Sequence, residues 1–140
     1  MPTNPTTAGA LVDRLRTAEH VVEVGVGGRP DAAAALAAAG VDVTAVDRRT
    51  VPAPDGVRFA RDDVVERAAV ADRDPGPYAG ADAVYARRLP PELHRPTLTV
   101  ARAVDAAMLF TTLGGDPPAV PATPETVPGG TLYRATDGPG

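Results

Sequence analysis

The residues best suited to chemistry gather where two apolar runs end. Val21 to Val24 passes through Glu23 into Gly25, Gly27 and Gly28, then into Pro30 and Asp31, and a second run, 41–46, ends on Asp47. A strand turning sharply into a helix needs a residue that accepts positive φ, and a ligand lying against the main chain leaves no room for a Cβ. Gly25 and Gly27 suit those two tasks, with Gly28 in reserve. A carboxylate ending the next strand is placed to accept hydrogen bonds from a pair of ribose hydroxyls, which is the expected role of Asp47. The spacing therefore points to a nucleoside-like ligand.

Two neighbours refine that expectation. The G-x-G-x-x-G pattern begun at Gly25 would place its third glycine where the chain has Pro30, which weighs against a pyrophosphate. Glu23, two residues before the first glycine, fits an acidic-x-Gly-x-Gly form instead. Its carboxylate either accepts hydrogen bonds from a cationic or hydroxyl-bearing ligand or pairs locally at a strand end. Further along, Asp62 and Asp63, the segment from Arg87 to Glu92, and Gly114 to Asp116 each follow an expected strand. Arg87 and Arg88 suit a phosphate or carboxylate on a substrate, or else balance the charge of an acidic surface. Tyr85 and Glu92 are the nearby candidates for catalytic proton transfer, although Tyr85 suits packing equally well.

These residues need a scaffold that brings strand ends together. The pattern predicts strands over 21–24, 41–46, 57–60, 81–86, 107–112 and 131–135, and helices over 31–39 and 64–71. A further helix carries Leu98, Val100, Ala101 and Val104, and Pro96 disfavours its starting at Pro91. Gly40 ends the alanine-rich second helix as a C-terminal cap. Residues 117–130 are expected to be a proline-rich loop, 131–135 an edge strand and 136–140 a disordered tail. Strands alternating with helices predict an α/β fold, doubly wound, with a mostly parallel sheet of five or six strands and helices on both faces. Ligands in such folds gather beyond the carboxyl ends of the strands, so all five groups of residues are expected on one rim.

Composition narrows the function. The 140 residues carry a formal charge of −4 and form one expected domain, 1–140. Every positive side chain is arginine, and no basic patch suggests nonspecific nucleic-acid binding. Cysteine is absent, and His20 and His94 lack metal-ligand spacing, so no metal site is expected and both histidines read as surface or capping residues. The longest apolar run, 32–39, falls far short of the ~20 residues that cross a bilayer. No charged-then-apolar leader opens the chain, and a cytoplasmic location is expected.

The residues also carry two resemblances. Glu23-x-Gly25-x-Gly27, Asp47 and the acidic pair after the third strand resemble the cofactor half of the Rossmann-fold S-adenosylmethionine-dependent methyltransferases, over about residues 20–116. That resemblance implies a Rossmann-like fold and S-adenosylmethionine as cofactor, with Gly25 and Gly27 against its methionine part. It places Asp47 on the ribose and Asp62 or Asp63 near the adenine edge. Val22 to Gly25, Tyr85 to Leu93 and Leu113 to Pro117 resemble a small uncharacterised archaeal protein family, UPF one-four-six, which carries no established activity. Amino-group methyltransferases commonly carry Asp or Asn before two prolines after strand four. Here Arg87 and Arg88 stand instead, which suits an anionic acceptor. The closing antiparallel hairpin of such folds is expected to be half present, leaving surface for a second copy or a partner protein. A methyltransferase and a noncatalytic nucleotide-binding module acting in regulation or a complex both remain open. A nicotinamide-binding domain is a third option, against which Pro30 stands.

Overall fold

The computed structural model describes residues 7–25 and 30–136. Helix α1 (Thr7–Leu15) leads into β1 (His20–Val24), α2 (Asp31–Ala38), β2 (Asp42–Asp47), β3 (Val57–Arg61) and α3 (Val64–Ala68). A short 3-10 turn (Gly76–Tyr78) precedes β4 (Ala83–Leu89), α4 (Pro91–Ala103) and β5 (Ala107–Thr112), and the described chain closes with β6 (Ala122–Val127) and β7 (Gly130–Ala135). The strands form one sheet in the order β3-β2-β1-β4-β5-β7-β6. β1 to β5 run parallel, β7 is antiparallel to β5, and β6 is antiparallel to β7. The chain winds outward from β1 to one edge and then restarts at β4. Strand order reverses between β1 and β4, where a doubly wound sheet opens its crevice.

Alternation along the strands divides the core. Val22, Val24, Val84, Ala86 and Phe110 pack with Val64, Leu98 and Ala101, while Val21, Val43, Tyr85 and Leu109 pack with Leu11, Leu15 and Leu36. A sheet covered on both faces needs apolar residues at successive positions, which is why β1 and β2 read as nearly continuous valine and alanine. The alanines of α2 let that helix approach closely, burying Ala32, Ala33 and Leu36. It stops where expected. Gly40 takes φ +93°, its N–H donates to the Ala37 carbonyl at 3.0 Å, and the Val41 N–H reaches the Leu36 carbonyl at 3.0 Å. That pair of bonds is a Schellman motif, which satisfies carbonyls the helix end leaves free.

The last third departs from expectation. The sheet has seven strands, not five or six, because residues 122–127 of the proline-rich segment form β6. The hairpin is therefore complete, and 131–135 lies inside β7 with β6 as the edge. Proline is tolerated there because an outermost strand is bonded on one side only. Burial of Val120 and Val127 and a bond from the Thr136 N–H to the Pro121 carbonyl at 2.9 Å tie the segment down.

His94 is a second correction, being fully buried and not a surface residue. The Ala119 N–H donates to its Nδ1 at 2.9 Å, so Nδ1 is the acceptor and the proton sits on Nε2, which donates to the Leu89 carbonyl at 2.9 Å. This neutral imidazole ties the proline-rich segment to the end of β4. It sits on α4, which starts at Pro91 after all and holds Pro96 inside it. Pro91 loses nothing at the first helical position. Pro96 removes one helical bond, against which stands the burial of His94, Thr97, Leu98, Val100 and Ala101. The expected loop beginning at Arg87 is likewise displaced, since Arg87, Arg88 and Leu89 belong to β4. Residues 137–140 of the expected tail lie outside the described residues. No helix among the described residues is long and apolar enough to cross a membrane.

Candidate functional site

The ends of β1, β2 and β3 are laced together. The Gly25 N–H donates to the Val46 carbonyl at 2.8 Å, and the Asp62 N–H donates to the Asp47 carbonyl at 2.9 Å. Beyond them opens a cavity of about 480 Å³ lined by Gly25, Asp47, Asp62, Asp63 and Glu92 among polar and turn residues. Val24, Val46, Val64, Val65 and Leu93 give it apolar walls, and Arg48 and Arg49 stand at its side. Gly25 takes φ +74°, and a Cβ built there would meet no described residue within 4 Å. The missing side chain thus leaves open space at the turn, the condition for a ligand to lie against the backbone. Gly27 and Gly28 lie outside the described residues.

The acids lining this crevice differ in how far the fold already uses them. Asp62 is gripped by Arg67 through Nε at 3.1 Å and Nη2 at 2.8 Å, and Arg67 also pairs with Asp74 at 3.3 Å. Those carboxylates raise the Arg67 pKa still further, with the Asp62 hydrogen bond the largest cause. Asp63 caps α3, accepting from the Val65 N–H at 2.9 Å and the Glu66 N–H at 3.4 Å. Asp47 accepts the Arg49 N–H at 3.0 Å within its own turn, which orients the carboxylate and, among the described residues, commits it to no other element. With Asp62 already paired to Arg67, the carboxylates of Asp47, Asp63 and Glu92 against Arg48 and Arg49 favour a cationic guest, and the half-exposed Val65 suits the face of a flat ring.

Glu23 lines neither this crevice nor the second one. It is 1 % exposed, and the Tyr85 hydroxyl on β4 donates to its Oε1 at 3.1 Å. Burial pushes its pKa up to about 7, against the opposing pull of the Tyr85 hydrogen bond and the Arg87 charge. Tyr85 is itself fully buried, and burial together with the Glu23 charge holds its hydroxyl protonated well above the ordinary range. Its place is the interior, while Glu92 is exposed on the first turn of α4.

A second cavity, of about 530 Å³, opens beyond β4, β5 and β7 and contains Arg87, Arg88, Thr111 and Gly114 to Asp116. The five groups of rim residues are thus divided between two crevices: Gly25, Asp47, Asp62–Asp63 and Glu92 on one side, the arginines and Gly114 to Asp116 on the other. Sequence reasoning missed Val65, Thr111, Thr112 and Thr131 as lining residues. The threonines at the end of β5 were visible as the polar finish of an apolar run.

The sheet is similar to those of S-adenosylmethionine-dependent methyltransferases. An RNA methyltransferase from Salinibacter ruber, solved in complex with S-adenosyl-L-homocysteine, matches with a TM-score of 0.57 at 17% identity over 97% of this chain and 93% of that one. A SAM-dependent methyltransferase from Agrobacterium tumefaciens matches with a TM-score of 0.58 at 18% identity, over 79% of this chain and 44% of that one. Likeness at this level defines the fold, which is Rossmann-like and of the methyltransferase type. In sequence, the profile of the Uncharacterised protein family (UPF0146) matches residues 7–136. A UPF0146 protein of Halobacterium salinarum is 48% identical over 136 residues, covering 96% of this chain and 98% of the relative. The chain belongs to that family.

Proposed function

We propose that the chain binds S-adenosylmethionine in the crevice over β1, β2 and β3, and that it is a small methyltransferase. The observation that carries this reading is the shared cavity of Gly25 and Asp47, with open space at the glycine and the carboxylate already oriented. Asp47 would accept the ribose hydroxyls, the apolar wall with Val65 would cover the adenine, and the surrounding carboxylates favour a sulfonium cation. When bound, the cofactor supplies an activated methyl group, so the protein's task is alignment more than proton transfer. The burial of Tyr85 favours a second reading, a noncatalytic module with the same ligand, because it removes one of the two candidate catalytic groups.

Thermal shift separates these readings from the alternatives. Ligand at about 100 times its dissociation constant adds about 2.7 kcal/mol of stability. S-adenosylmethionine or S-adenosylhomocysteine should stabilise the chain, Asp47→Ala should abolish the response, and NAD should produce none. A response to NAD alone overturns the proposal. Tritiated methyl donor incubated with cellular fractions then tests transfer, and binding with no labelled product selects the noncatalytic module.

A further inference from the structure

We propose that the crevice over β4, β5 and β7 binds the phosphate group of a phosphate ester, with Arg88 as its principal ligand. That this ester is the methyl acceptor rests on the methyl-donor reading above; that it binds does not.

The evidence begins in the register. Ala86 pairs with Phe110 and Leu89 with Thr112, so β4 advances three residues while β5 advances two. Arg87 and Arg88 together oppose Thr111. A bulge is rare in a parallel pair, and such insertions re-aim side chains beside functional sites. This one places Arg88 at φ +53°, a left-handed conformation that costs a long side chain free energy and persists only where its surroundings enforce it. The enforcing contact is visible: the Arg88 N–H donates to Thr111 Oγ1 at 2.8 Å. That bond uses the hydroxyl as acceptor, which leaves its proton available to a second partner, and Thr111 lines the crevice.

Charge separates the two arginines. Arg87 is paired with Asp31 at 2.5 Å and is largely buried. Arg88 is exposed and has no carboxylate partner among the described residues. Facing the same space, Gly114 and Gly115 have no described residue within 4 Å of where a Cβ would stand, so bare backbone borders the cavity there, as in sites where main-chain N–H groups reach phosphate oxygens. Guanidinium, hydroxyl and bare backbone are the usual partners of a phosphate. Asp116 also lines the space, where its carboxylate can accept from the hydroxyls of the ester's sugar part. At about 530 Å³ the cavity exceeds what inorganic phosphate fills and suits a sugar phosphate.

Calorimetric titration of the full chain at low ionic strength with ribose 5-phosphate tests this, with ribose and glutarate as controls. Ribose 5-phosphate should bind, ribose should not, and glutarate should bind at least tenfold more weakly. Arg88→Gln should weaken ribose 5-phosphate at least tenfold. Arg88→Gly should do the same while raising Tm, because glycine accepts φ +53° without strain. Asp47→Ala should leave ribose 5-phosphate affinity intact while losing the response to the methyl donor, so either reading can fail alone. No binding of ribose 5-phosphate, equal affinity for ribose or glutarate, or unchanged affinity in both Arg88 variants would overturn the proposal.

Discussion

The two crevices share a rim yet stand in opposite relations to the fold. In the one over β1 to β3, Asp62 holds Arg67 and Asp63 caps α3, so part of the polar lining also maintains local structure. In the one over β4 and β5, Arg88 has no carboxylate partner among the described residues and is kept in a backbone conformation that the fold must enforce. Residues that stabilise the scaffold reveal little by their presence. A charged residue held against backbone preference points more directly to a use beyond folding. Asp47 lies between these extremes, being oriented by its own turn and otherwise uncommitted among the described residues.

Stability measurements can break or sharpen that contrast. The largest effect is expected beneath the rim, at Glu23, whose carboxyl moves from 4.5 to about 7 through burial. The folded state keeps the proton where the unfolded chain releases it. Its contribution to stability is therefore fully present below about pH 4.5, falls as pH rises toward 7, and levels off above, by something on the order of 3 kcal/mol. Urea denaturation across this range should show the decline in the native chain and a flatter profile in Glu23→Gln, which still accepts the Tyr85 hydroxyl; identical profiles would mean Glu23 is not the titrating group. Next in size is Asp62→Ala, which leaves the mostly buried Arg67 without its bidentate partner and should cost about 2 kcal/mol by chemical denaturation. A cost near zero would mean that Asp62 is free for a ligand. Asp63→Ala should cost about 1 kcal/mol through loss of the α3 cap, again by chemical denaturation, and neither aspartate variant should alter ribose 5-phosphate binding. The opposite sign expected for Arg88→Gly completes the contrast.

Much of the first crevice is legible in the sequence because its parts are local. A glycine turn after a strand, a carboxylate ending the next strand and a glycine ending a helix each follow from neighbouring residues, and Gly25, Asp47 and Gly40 stand where that reasoning puts them. The second crevice depends on long-range pairing. Nothing near Arg87 and Arg88 announces an extra residue relative to β5, since that mismatch exists only once the strands are side by side. The proline-rich segment misleads for a related reason: proline opposes a central strand, and β6 became possible only as the outermost one. His94 reads as a surface residue until Leu89 and Ala119 are brought to its two nitrogens.

The placement of β6 reaches beyond the crevices, to how copies of this chain meet in a crowded solution. An exposed sheet margin is a template onto which another molecule's backbone can add. Here one margin, β6, carries Pro124 in its middle, and the other, β3, displays Arg61 beside an Arg58 paired with Asp42. Imino acid on one flank and exposed charged side chains on the other discourage head-on extension of the sheet, so any self-association is steered toward the faces and ends of the molecule.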